Sequence, residues 1–190
     1  MRLLEKFDFT EICISVKSSD VPLNMAAYRL LHEKVDYPLH LGVTEAGTTE
    51  EGIVKSAVGI GSLLADGIGD TIRVSLTDDP VEEVKAAILI LKSLDLYGDC
   101  VNVVSCPTCG RTKIDMIPIA NAITAATANM HKKLKIAVMG CVVNGPGEAA
   151  DADIGIAGGD GCAVLFKKGN IVKKIREDEI IDTLLKEIES

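Results

Sequence analysis

The sequence predicts an α/β protein in which parallel strand–helix–strand units are followed by a second, mixed α/β unit. Three observations carry that prediction. Val, Ile, Leu, Ala and Gly dominate, with only 3% aromatic residues and no Trp, a composition suited to buried parallel strands alternating with helices. Short β-branched runs alternate with longer stretches of helical periodicity through the first hundred residues. Finally, Lys17, Glu45 and Arg73 each end or follow a strand pattern and recur at intervals of 28 residues, the repeat of a (β/α) barrel, whose functional side chains gather at strand C-termini.

Residues 12–17 form the first predicted strand and residues 23–35 a helix. A second strand covers 39–44 and a second helix 49–64. Residues 72–76 form a third strand, and Asp79-Pro80 opens a helix to about Leu94, with Pro80 suited to a first-turn position. Short loops between these elements imply right-handed βαβ units. Three such units do not close an eight-stranded barrel. The remaining strands are expected upstream of Met1, or else the half-sheet pairs with something else.

The character changes after Leu96, and the domain boundary is placed near Tyr97-Gly98-Asp99, dividing the chain into residues 1–97 and 98–190. A strand over 101–105 ends at Cys106. Residues 114–131 read as a helix, 134–139 as a buried strand running into Gly140-Cys141, and 143–153 as turn-rich. A strand is expected at 154–157. Residues 162–167 and 170–174 form a hairpin through Lys168-Gly169-Asn170, and an amphipathic helix over 177–188 closes the chain.

Composition limits the function. The net charge of −8 argues against general nucleic-acid or anionic-membrane binding, which need a positive surface. No stretch reads as a signal peptide or membrane span, so a cytoplasmic, reducing compartment is expected, with the six cysteines as thiols rather than disulfides.

The chemistry concentrates in two places. Cys106-Pro107-Thr108-Cys109 is a C-x-x-C turn, and Cys141 follows a separate strand. On residues alone a structural zinc knuckle, a thioredoxin-like redox pair and an iron–sulfur cluster all remain open. A zinc ribbon needs a second C-x-x-C, which is absent, whereas three thiolates suffice to hold a [4Fe–4S] cluster. The loop Asn144-Gly145-Pro146-Gly147-Glu148 lets backbone approach a ligand closely, and Glu148 is either a displaceable iron ligand or a solvated turn residue. Cys13, Cys100 and Cys162 lie in or beside apolar runs and read as buried small hydrophobes. In the first half, Cys13, Ser15 and Lys17 alternate with Ile12, Ile14 and Val16, as Arg73 and Ser75 do with Ile72, Val74 and Leu76. The apolar set is expected to face the outer helices and the polar set the barrel mouth. Lys17, Arg73 and Ser75 would make an anion site there, unless the cations pair with neighbouring acids. Glu45 is the carboxylate expected at that rim, a candidate acid–base group. His40 reads as a satisfied interior histidine, and His32 and His131 as helix-surface residues.

Several long motifs resemble one known family. They are Ser15-Val16-Lys17-Ser18-Ser19-Asp20, Pro38-Leu39-His40-Leu41-Gly42-Val43-Thr44-Glu45-Ala46-Gly47 and Gly67-Ile68-Gly69-Asp70-Thr71-Ile72-Arg73-Val74-Ser75-Leu76. Cys106-Pro107-Thr108-Cys109-Gly110-Arg111 and the run from Met139 through Cys141 to Glu148 and Ala149 complete the set. Together they are similar to the 4-hydroxy-3-methylbut-2-enyl diphosphate synthases of non-mevalonate isoprenoid synthesis, over nearly the whole chain. The resemblance implies the C-terminal part of a (β/α)8 TIM barrel followed by an α/β iron–sulfur domain like sulfite- and nitrite-reductase modules. It implies an iron–sulfur oxidoreductase with a [4Fe–4S] cluster on Cys106, Cys109 and Cys141, Glu148 being the fourth ligand. The implied reaction opens 2-C-methyl-D-erythritol 2,4-cyclodiphosphate reductively, with electrons from flavodoxin or ferredoxin. Lys17, Arg73 and Ser75 match diphosphate-binding positions and Glu45 a carboxylate beside the reacting carbons. A homodimer is implied too. The family's barrel begins well before Met1, so this chain alone is expected to be inactive, and a non-catalytic zinc- or cluster-binding module is the alternative for it.

Overall fold

In the computed structural model, which describes residues 1–142, 149 and 151–189, the chain divides into two compact units, Met1–Tyr97 and Gly98–Ser190.

The first unit opens with a short helix α1 (Arg2–Glu5). Next come α2 (Val21–His32), β1 (His40–Gly42), α3 (Thr49–Ala65), β2 (Thr71–Arg73) and α4 (Pro80–Ser93). β1 and β2 are parallel, Gly42 opposite Arg73, as a strand–helix–strand unit requires. Helix starts follow the chain chemistry. The Asp20 carboxylate accepts the Leu23 N–H, the Asp79 carboxylate accepts the Val81 N–H, and a proline sits in the first turn of both helices. The core gathers Tyr28 of α2, Leu41 of β1, Ile60 and Leu63 of α3, Val74, and Ile90 of α4.

The strands are shorter than the sequence predicts, because other groups take their terminal N–H donors. Residues 12–17 form no ladder; Ile14 alone bridges Leu39, through two backbone bonds to Pro38 and His40. The second strand shrinks to His40–Gly42: Asp70 accepts the Leu39 N–H and the Ser18 carbonyl accepts that of Thr44. The third ends at Arg73, since Glu83 accepts the Leu76 N–H and the Gly47 carbonyl that of Thr77. The face alternation is nevertheless present. Ile14, Val16, Ile72 and Leu76 pack on the core cluster, while Ser15 and Arg73 are exposed.

The second unit is a five-stranded sheet in the order β3 (Val101–Ser105), β4 (Leu134–Met139), β5 (Ile154–Gly159), β6 (Cys162–Lys167) and β7 (Asn170–Arg176). The β3–β4 and β4–β5 pairs are parallel and the last two antiparallel. Helix α5 (Met116–Thr127) connects β3 to β4. A 3-10 turn (Glu177–Glu179) precedes the final helix α6 (Ile180–Glu189). α5 is shorter than residues 114–131: Ile114 is instead a core residue, and the Asp115 N–H donates to Glu177. Lys168 and Gly169 both have positive φ, 46° and 75°, as a two-residue hairpin turn between twisted strands requires.

Strand alternation sends Ile136, Val138, Ile154 and Ile156 to the face covered by Ile119 and Ile123 of α5 and by Ile180, Leu184 and Ile188 of α6. Ala137, Met139, Ala157 and Phe166 fill the opposite face with Ala149 and Ala152. Gly155 is required there, since a methyl group on it would lie 2.5 Å from the Phe166 ring and from the Ala137 carbonyl.

Candidate functional site

Each unit presents one constellation. In the first, Lys17 leaves the segment beside β1 and its side chain runs across Gly42. A methyl group at Gly42 would stand 2.7 Å from Lys17 Cε, 2.9 Å from Nζ and 2.9 Å from the Arg73 carbonyl. Gly42 therefore opens the passage that brings the ammonium onto the rim. Lys17 Nζ lies 3.0 Å from His40 Nε2, and His40 Nδ1 lies 2.9 Å from Thr71 Oγ1. The backbone beneath is anchored, because the His40 carbonyl accepts from the Tyr28 hydroxyl at 2.6 Å and from Ser15 Oγ at 2.9 Å. Tyr28 is fully buried and also accepts the Val16 N–H.

The electrostatics are those of a positive rim. Partial burial, and secondarily the Arg73 guanidinium, lower the Lys17 pKa. Burial, then Lys17, then Arg73 lower that of His40 and so favour its neutral ring. Among the described residues neither Lys17 nor Arg73 makes an ion pair with a carboxylate. Ser75 is half-buried, two residues beyond Arg73 on the same alternation. Glu45 is exposed in the loop after β1, with a left-handed φ of 54°.

The structure thus brings Lys17 and Arg73 together and adds His40 and Thr71, which the sequence reading left out. His40 is hydrogen-bonded, by Lys17 and Thr71, but it is only partly buried rather than interior. The signal was present in the alternation, since His40 and Gly42 fall on one side of their strand and Thr71 and Arg73 on one side of theirs.

The second constellation lies at the C-terminal ends of β3 and β4, where Ser105 is opposite Val138. Cys106 and Cys141 are thereby carried to the same end of two adjacent parallel strands. The Cys106 sulfur is half-buried, accepts the Gly140 N–H at 3.2 Å and lies 3.8 Å from Met116 Sδ. Cys141 is buried. Cys109 is exposed on the intervening turn, which closes through its N–H to Thr112 Oγ1 and the Thr112 N–H to its carbonyl, both 3.0 Å. Its thiol pKa is lowered first by the Arg111 N–H; burial opposes this, and the Thr112 hydroxyl and the Arg111 side chain add smaller lowering effects.

Among the described residues no three His, Cys, Asp or Glu side chains stand together as a ready metal-ligand group, and Cys109 is exposed. Glu148 lies outside the described residues. The donor set nonetheless suits an iron–sulfur group: soft sulfur ligands, one already holding a backbone N–H···S hydrogen bond. Of the other cysteines, Cys13 is exposed rather than buried. It shares the polar side of its segment with Ser15, opposite Ile12 and Ile14, so the core does not reach it. Cys100 and Cys162 are partly buried.

Residues 1–88 match the model of the GcpE TIM-barrel domain, and residues 102–190 that of the GcpE protein C-terminal domain. The chain belongs to the GcpE family. Curated relatives of this GcpE chain carry the name 4-hydroxy-3-methylbut-2-en-1-yl diphosphate synthase (flavodoxin). One from Ruminiclostridium cellulolyticum is 61% identical over 98% of the chain and 53% of its own length. One from Caldanaerobacter subterraneus subsp. tengcongensis is 61% identical over 100% of the chain and 53% of the relative. One from Fusobacterium nucleatum subsp. nucleatum is 60% identical over 99% and 53%. The chain spans about half the length of these relatives.

Proposed function

We propose that this GcpE chain carries the diphosphate-binding rim and the cluster-holding cysteines of an isoprenoid-pathway oxidoreductase. The reaction is the ring opening of 2-C-methyl-D-erythritol 2,4-cyclodiphosphate to 4-hydroxy-3-methylbut-2-enyl diphosphate. It consumes two electrons and two protons and releases one water. The observation that carries the reading is the Lys17–Arg73 rim, which has no carboxylate ion pair among the described residues, next to which the match to diphosphate synthases covers the chain end to end.

Residue roles follow from chemistry. Arg73 suits a bidentate grip on a phosphoryl group, Lys17 a point charge and Ser75 a hydroxyl donor. Glu45, exposed in the loop after β1, suits the carboxylate that moves a proton at the reacting carbons. Cys106, Cys109 and Cys141, with Glu148 as fourth ligand, would hold a [4Fe–4S] cluster, which supplies electrons one at a time. Flavodoxin, named with the relatives, is the proposed electron donor, with ferredoxin as the other small carrier of the same kind. In this reading Met1–Tyr97 is part of a (β/α)8 barrel, and Gly98–Ser190 is a cluster domain of the sulfite- and nitrite-reductase kind. The working enzyme is a cytoplasmic homodimer. No helix among the described residues is long and apolar enough to cross a membrane.

Two measurements test this. Protein prepared without oxygen should contain about four irons per chain with matching sulfide; one tightly bound zinc without sulfide refutes the cluster. Inorganic pyrophosphate should bind the chain, and Lys17→Met should weaken it. Unchanged affinity in that variant refutes the anion site.

A further inference from the structure

We infer that His40 is a positioning residue for the Lys17 ammonium, accepting from it through Nε2 while Thr71 takes the proton on the other ring nitrogen. The inference rests on the reading of Lys17 as an anion-binding group and deepens it.

An ammonium has three donors and no acceptor. At 3.0 Å from Lys17 Nζ, His40 Nε2 must therefore present its lone pair, so the ring proton is on Nδ1. That nitrogen lies 2.9 Å from Thr71 Oγ1, and a hydroxyl oxygen accepts readily. The opposite tautomer would set donor against donor at Lys17. Lys17, which can only donate, thus specifies the ring state, as the partner of one imidazole nitrogen generally does for the other, and the Thr71 hydroxyl, able to accept or donate, satisfies the proton on Nδ1. The ring is carried on rigid backbone, since the His40 carbonyl is held by the buried Tyr28 hydroxyl and by Ser15.

A neutral acceptor is also the right kind of partner. A lysine has a long flexible stem whose freedom opposes any fixed position. A carboxylate would hold the ammonium but cancel its charge toward an incoming phosphate. An imidazole kept neutral holds it and leaves the charge for the ligand. Gly42 leaves the room in which the stem crosses β1.

The experiment uses the 190-residue chain labelled with 15N. Among its three histidines, the His40 ring signals are those missing from His40→Gln. Long-range 1H–15N correlations should show the proton on Nδ1; a proton on Nε2 overturns the inference. Inorganic pyrophosphate is then titrated into four proteins. Affinity should fall about tenfold in His40→Leu, which removes the acceptor beside a charged donor. It should return close to the parent value in His40→Gln, whose amide oxygen accepts in place of Nε2. If Lys17→Met loses affinity while His40→Leu keeps it, the positioning role is wrong and the anion site stands. If Lys17→Met binds like the parent, the anion site is wrong and the positioning role falls with it.

Discussion

Replacing Gly42 with alanine separates the rim geometry from any general effect of losing a glycine. The new methyl would meet Lys17 Cε at 2.7 Å, Nζ at 2.9 Å and the Arg73 carbonyl at 2.9 Å, against the roughly 3.5–4.0 Å at which nonbonded carbon atoms rest. The lysine end can swing away, but only by leaving His40. The Arg73 carbonyl belongs to the strand paired with Gly42 and has little freedom to move. Overpacking of this kind costs about 1–3 kcal/mol, and the displaced ammonium should weaken pyrophosphate binding about tenfold. Gly61→Ala is the matched control. It lies within α3, where a methyl would find only the Ile90 side chain at 3.8 Å, so helix propensity should make it more stable by roughly 0.5–1 kcal/mol. Tyrosine fluorescence during urea unfolding reads this unit alone, because Tyr28, Tyr37 and Tyr97 all lie in it and the chain has no Trp. If Gly42→Ala and Gly61→Ala change stability alike, and pyrophosphate affinity survives at residue 42, Lys17 does not cross β1 as described.

Other outcomes follow from single contacts. Asp79→Ala should cost about 1 kcal/mol by tyrosine-monitored urea unfolding, because it removes the carboxylate that caps α4; no loss would mean the cap contributes nothing. Glu45→Asn should raise stability by about 1 kcal/mol in the same assay, since asparagine tolerates the left-handed backbone at φ 54° better than glutamate does, and a decrease would show that the Glu45 side chain supports the loop. Glu187 is held by Lys167 and Lys173, which lower its pKa from 4.5 to about 2. A depressed carboxylate pKa stabilises the fold above pH 4.5, and that contribution is lost as pH falls toward 2. Glu187→Gln should flatten this part of an acid titration followed by circular dichroism; an unchanged profile would contradict the pairing. Cys106→Ser and Cys141→Ser should lower bound iron while Cys162→Ser keeps it, and equal losses in all three would dissolve the distinction between ligand and packing cysteines.

Chain chemistry alone determined more of the elements than of the sites. β3, β4 and β6 have the bounds read from their apolar runs, because a buried strand flanked by turn residues has few other solutions. The starts of α3 and α4 were likewise legible, at Thr49 and at Pro80 behind Asp79. Alternation also placed Lys17, Ser15 and Arg73 on the polar side of their segments, since period-two geometry is local.

Tertiary structure decided where pairing stops and which polar groups meet. The ends of β1 and β2 are set by Asp70 and Glu83, which accept backbone donors from 31 and 7 residues away, and no local pattern announces such bonds. Cys13 sits among apolar residues in sequence yet is exposed, because only one side of that segment faces the core. Lys17, His40 and Thr71 belong to three separate segments. Their hydrogen-bonded line exists because parallel pairing sets His40 opposite Thr71 and Gly42 lets a lysine pass. Residue identity supplied the donors and acceptors, but distance is a property of the fold, and hydrogen bonding depends on distance.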